Sequence, residues 1–95
     1  MSRSTFSLGR IVATPAALDA LATAGATPAI YLERHAAGDF GEVPSSDAQA
    51  NRRDIAEDEG RVLSAYELPD GTRVWVITQL AGEATYTTLL LPDEY

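Results

Sequence analysis

Hydrophobic and polar positions change their rhythm near Gly60. Before it, apolar residues come in short clusters between Thr-Pro and glycine punctuation; after it, β-branched and aromatic residues run in stretches broken by turn signals. The first apolar centre, Ile11 and Val12, predicts a strand over residues 8–13. Thr14-Pro15 then opens a helix, because threonine caps free backbone N–H groups and proline at the first helical position forfeits no hydrogen bond. Leu18 and Leu21 share one face of it, and Gly25 ends it in the left-handed cap position. Thr27-Pro28 repeats the device for a second helix, with Ile30, Tyr31 and Leu32 as its bulk and Gly38 as its stop. The two read as an antiparallel helical pair. A loop over 38–46 precedes a third, polar helix, for which Ser46 and Gln49 have capping-box spacing. Only Ala48 and Ile55 mark an apolar stripe there, so the helix is expected on the surface with little to anchor it.

The remainder reads as sheet. Runs over 61–68 and 72–79 flank Pro69-Asp70-Gly71, a hairpin signal, and a third run follows over 84–91. The order is β-α-α-α-β-β-β. The expected class is therefore α+β, with a largely antiparallel sheet of about four strands and helices packed on one face. Residues 1–7 read as a loose terminus and 8–95 as a single domain. Where the first strand pairs is not legible.

Composition narrows the function classes. Fourteen acids face seven arginines, lysine is absent, and the net charge is −7. Such a chain is poorly suited to neutralising phosphates, so direct nucleic-acid binding is not expected. Seven acids and two arginines lie between Asp39 and Glu59, which puts −5 of the net −7 in that stretch. This is either a solubilising face or a surface that meets a basic partner, with Asp54, Glu57, Asp58 and Glu59 as its densest part. Cysteine is absent, which removes disulfides and thiolate zinc sites and suits a reducing compartment. With no signal-like or membrane-length apolar run, a cytoplasmic location is expected and no membrane partner.

Residues for catalysis are sparse. His35 is the only histidine, with Asp39 four residues on. The pair reads either as a general acid–base couple or as a packed histidine beneath Tyr31 or at a helix end. No serine sits in a nucleophile elbow, no phosphate-binding glycine loop is present, and the carboxylates lack calcium-loop spacing. No catalytic residue, metal site or cofactor is expected, and the sequence reads as non-enzymatic. Arg73, Trp75, Ile77 and Gln79 share one strand face, and Val74, Val76 and Thr78 the other. If the valine face is core, Trp75 and Arg73 stand on an open face as an interface pair; otherwise Trp75 is core.

The segments Leu8-Gly9-Arg10-Ile11-Val12-Ala13-Thr14-Pro15, Arg34-His35-Ala36-Ala37-Gly38-Asp39-Phe40-Gly41, Leu63-Ser64-Ala65-Tyr66 and Leu90-Leu91-Pro92-Asp93-Glu94-Tyr95 carry a resemblance. Over residues 8–95 the chain resembles a family of small uncharacterised proteins of plasmids and integrated mobile elements. Their labels include plasmid-related protein and type I restriction enzyme subunit M. The family pattern has tryptophan at the Phe40 position and an acid near Gln79. The resemblance implies a mobile-element setting and no restriction chemistry, since a methyltransferase needs a far larger cofactor-binding fold with its own glycine motif. Two functions are expected from this and the residues together. The first is a small acidic protein binder, an anti-restriction or anti-CRISPR inhibitor that occupies the basic nucleic-acid surface of a defence complex through Asp54, Glu57, Asp58 and Glu59. The second is an accessory domain, homodimeric in one version, binding a protein or small ligand through His35, Asp39, Phe40, Arg73 and Trp75.

Overall fold

The computed structural model describes residues 4–95 as a four-stranded sheet with three helices. The strands are β1 (Arg10–Ala13), β2 (Gly60–Glu67), β3 (Arg73–Leu80) and β4 (Tyr86–Leu90), and the helices are α1 (Pro15–Thr23), α2 (Pro28–Ala36) and α3 (Ser45–Glu57). The strand order is β1-β4-β3-β2. β2, β3 and β4 form an antiparallel meander, as the turn residues require. β1 adds parallel to β4, in the register Arg10 to Tyr86, at an edge. The α+β class and element order expected from the sequence are those observed. No helix among the described residues is long and apolar enough to cross a membrane.

The Thr-Pro starts behave unequally. Thr14 Oγ1 accepts from the Ala17 backbone at 3.1 Å, whereas Thr27 makes no side-chain cap. The expected capping box at Ser46 and Gln49 does not form; α3 begins two residues earlier, with Pro44 in the cap position and no side-chain cap. The amino-terminal segment is also less loose than expected. Thr5 pairs with the Ala36 carbonyl through its backbone N–H and its hydroxyl, and the Phe6 ring packs edge-on against His35. Residues 1–3 of that expectation lie outside the described residues.

One face of the sheet takes the helices. Val62, Ser64 and Tyr66 of β2, Val74, Val76, Thr78 and Leu80 of β3, and Thr87 and Leu89 of β4 are buried there. Their apolar members form two clusters. One gathers Ala17, Leu21, Tyr31, Tyr66, Leu68, Val74, Val76 and Leu89; the other gathers Phe40, Val62 and Leu80, with Ile55 and Ala48 of α3 packed against it. Thr78 stands between Val76 of the first cluster and Leu80 of the second along β3, and Ser64 between Tyr66 and Val62 along β2. A polar seam therefore divides the core.

The outer edge of β2 is closed by three different devices. Ala65 pairs through its backbone with Phe40 and Glu42, which run parallel to the strand. Gly41, between them, has φ +70°, and a β-carbon there would sit 2.1 Å from the Ala65 carbonyl oxygen. Leu63 is answered by the Asn51 side chain of α3, which accepts from its N–H at 3.0 Å and donates to its carbonyl at 2.7 Å. The Arg61 N–H meets the Asp54 carboxylate at 3.2 Å. Such coverage removes the template for edge-to-edge association. Among the described residues, β1 at the opposite edge has no comparable cover.

Candidate functional site

His35 sits at the last turn of α2, and the helix turns it into the polar seam. His35, Ser64, Thr78 and Thr87 are each 0% exposed. His35 Nδ1 lies 2.5 Å from Ser64 Oγ and Nε2 lies 2.9 Å from Thr78 Oγ1. Thr78 Oγ1 is 2.7 Å from Thr87 Oγ1, and the Thr87 hydroxyl donates to the Leu8 carbonyl at 2.7 Å. The last bond fixes the direction of all the others. Thr87 spends its proton on Leu8, so Thr78 donates to Thr87; Thr78 then accepts from Nε2–H, and Ser64 donates to Nδ1. The histidine is thus the neutral Nε2–H tautomer, fully satisfied. Burial lowers its pKa from 6.5 to about 4.

A serine hydroxyl bonded to an imidazole nitrogen is the arrangement of an activated nucleophile. Here the bond has that same direction, but Ser64 and His35 are sealed in the core, and no substrate atom reaches either. Sequence reading did not single out Ser64, Thr78 and Thr87 as partners of His35. Their signal is a polar residue at an inward strand position, visible only once register places Thr78 opposite Thr87.

The His35–Asp39 couple expected from spacing does not form. Asp39 is exposed past the helix end and accepts from Arg34 Nε at 2.7 Å and from the Gly41 N–H at 3.1 Å. The Arg34 hydrogen bond and charge hold the Asp39 carboxyl below its ordinary pKa, and Asp39 raises that of Arg34. The Arg34 guanidinium lies over the Tyr66 ring, whose hydroxyl donates to the Asp39 carbonyl at 2.5 Å. Burial pushes the Tyr66 phenol up to about 12. Phe40 is 6% exposed and belongs to the core. His35 and Phe40 therefore leave the expected surface loop, and Asp39 remains there alone, tied to Arg34.

The acids of α3 also separate. Asp54 is half-buried, caps the Arg61 N–H and lies 3.6 Å from Arg53. Glu57, Asp58 and Glu59 are exposed, and none has an ion-pair partner among the described residues. Asp58 takes the left-handed cap position with φ 54°. Among the described residues, no group of three or more histidine or acidic side chains is placed to hold a metal ion.

Trp75 is brought to a different surface. The valine face of β3 is core, so Trp75 lies half-buried on the other face of the sheet, which no helix covers. Ala65 of β2 and buried Leu90 of β4 lie opposite it, Ile77 follows on its own strand, and Leu63 and Thr88 flank Ile77, half-buried, with Val12 and Tyr86 exposed toward the β1 edge. The chain folds back after β4 and sets the Tyr95 ring edge-on to Trp75, with centroids 5.5 Å apart; Arg61 lies over the Tyr95 ring and donates to its hydroxyl. Two shallow hollows flank this pillar, one of about 330 Å³ against Trp75, Leu63 and Arg73, and one of about 190 Å³ against Ile77, Thr88 and Arg61. Arg73 stands at the rim, 2.7 Å from Glu42 and 3.8 Å from Glu67. Of His35, Asp39, Phe40, Arg73 and Trp75, only Trp75 and Arg73 are brought together on an accessible surface, while Glu57, Asp58 and Glu59 stay together at the exposed end of α3. No protein-family model, curated protein or solved structure matches the chain.

Proposed function

We propose that this chain is a non-enzymatic protein-binding module whose working surface is the helix-free face of the sheet. The observation that carries the reading is the makeup of that face: an apolar floor of Leu63, Trp75, Ile77 and Thr88, hollows on both sides of the Trp75–Tyr95 pair, and Arg61 and Arg73 at the rim. Tryptophan, tyrosine and arginine supply most of the binding energy at protein interfaces, in pockets with polar rims. The partner suited to it inserts an apolar side chain beside Trp75 and sets acids against the arginines. The groups with catalytic potential, His35 and Ser64, support the same reading by being committed to the core.

A second reading rests on Glu57, Asp58 and Glu59, which stand exposed without a cation partner among the described residues. In it the acidic end of α3 occupies a basic nucleic-acid-binding surface of a host-defence complex, consistent with the mobile-element setting that the family resemblance implies. One titration separates the two. With the partner captured from host lysate and purified, Trp75→Ala and Thr88→Arg should each weaken binding by about tenfold or more, the effect of losing an interface anchor. Lysine at positions 57, 58 and 59 together should leave it within about threefold, as for charges outside the contact. The opposite ranking would replace the first reading by the second.

A further inference from the structure

The two edges of the sheet are treated differently by the fold. Every outward N–H and carbonyl of β2 from Arg61 to Ala65 that needs a partner is answered by side chain or loop, apart from the Arg61 carbonyl. At β1 the opposite holds. Arg10 and Thr14 donate to Thr85 and Leu89 of the β4 segment, at 3.2 and 3.0 Å, so alternation turns the N–H and carbonyl groups of Ile11 and Ala13 outward. Neither residue has a hydrogen-bond partner on that side among the described residues. Side chains on both faces of this edge are apolar and open: Ile11 is 49% exposed, Val12 38% and Tyr86 47%.

We propose that β1 pairs antiparallel with β1 of a second copy, making one eight-stranded sheet across a two-fold axis at Val12. In this register Ile11 lies opposite Ala13 of the partner copy, and the four outward N–H groups of the pair all meet carbonyls. Val12 lies opposite its own counterpart on the helix-free face. Pro15 ends the ladder, because it has no N–H to offer.

Charge and shape select the second copy over an unrelated strand. Arg10 has no ion-pair partner among the described residues. Antiparallel pairing sets it opposite Thr14 of the other copy, whose hydroxyl is 2.7 Å from the Glu94 carboxylate. The two-fold makes two such Arg10–Glu94 contacts. A hollow of about 390 Å³, lined by Arg10, Val12, Glu83 and Tyr86, opens at the start of β1, where the Pro92–Glu94 turn of the other copy arrives. The surface is self-complementary, as a two-fold interface must be. Only four strand residues meet, so the dimer is reversible and depends on concentration. The inference is independent of whichever protein the helix-free face binds, and it extends that face across both copies.

Sedimentation equilibrium over a concentration series reaching the high micromolar range tests it. The unaltered chain should shift from one to two chain masses. Val12→Lys, which sets two ammonium groups directly opposite each other, and Ile11→Pro, which deletes one outward N–H without touching a bond to β4, should both remain at one chain mass with an unchanged circular dichroism spectrum. Arg10→Glu alone should weaken the dimer, and Arg10→Glu with Glu94→Arg should restore it. A monomer at every concentration overturns the proposal, as does a dimer that survives Val12→Lys and Ile11→Pro.

Discussion

A single buried histidine ties the stability of this protein to pH between about 4 and 6.5. His35 is neutral in the fold, with its pKa lowered to about 4 against an ordinary value near 6.5. Between those values the unfolded chain takes up a proton at His35 and the folded chain does not, so stability falls as pH falls from 6.5 toward 4. At about 1.4 kcal/mol for each pH unit, the loss reaches roughly 2 kcal/mol at pH 5 and about 3 kcal/mol at pH 4. Asp39 acts in a lower window, since its depressed pKa supplies stability that is lost only below its ordinary 3.8. Urea denaturation at pH 7 and pH 5 should show the His35 effect, and His35→Gln should flatten it even though the variant is less stable overall. An equal pH slope in His35→Gln would mean that some other group carries it. Spacing alone paired His35 with Asp39, because both lie near the end of one helix. It could not show that Arg34, one residue earlier, faces the carboxylate while His35 faces the sheet.

At the scale of elements, α3 illustrates why pattern reading fails for polar helices. Its sequence shows almost no apolar stripe, so it reads as a helix with little to hold it. Its main anchor is instead polar: Asn51, 3% exposed, reproduces with its amide the two bonds that another strand would give Leu63. Asparagine is common on exposed helix faces, and only the proximity of β2 gives this one its role. Asn51→Ala leaves a strand N–H and carbonyl unanswered beneath α3 and should cost about 2–3 kcal/mol by urea denaturation. A cost below about 0.5 kcal/mol would show that water replaces the amide without penalty. The elements whose formation depends on local chemistry were the legible ones: the Pro69-Asp70-Gly71 hairpin, the Thr14-Pro15 helix start and the strand alternation that put Val74 and Val76 inward. The place of β1 depends on a pairing 76 residues away in the sequence, and no local signal carries it.

For the whole molecule, the outcome is a division of labour between the two faces of one sheet. The helix-bearing face contains a divided core with a satisfied polar seam. The other face carries aromatic and aliphatic side chains under a single carboxy-terminal turn, with arginines around them. The acidic end of α3 lies past the edge that α3 closes. Sequence alternation showed which residues of β3 share a face with Trp75, but which face is core follows only from where the helices pack. The most direct test of the assignment is site-specific photo-crosslinking in the host cell, with benzoylphenylalanine placed at Gln79 on the helix-free face or at Glu57 on α3, both exposed. A working surface on the helix-free face should give an adduct to a different protein from Gln79 that disappears with Trp75→Ala, and none from Glu57. An adduct from Glu57 alone would contradict it and move the working surface to the acidic end of α3.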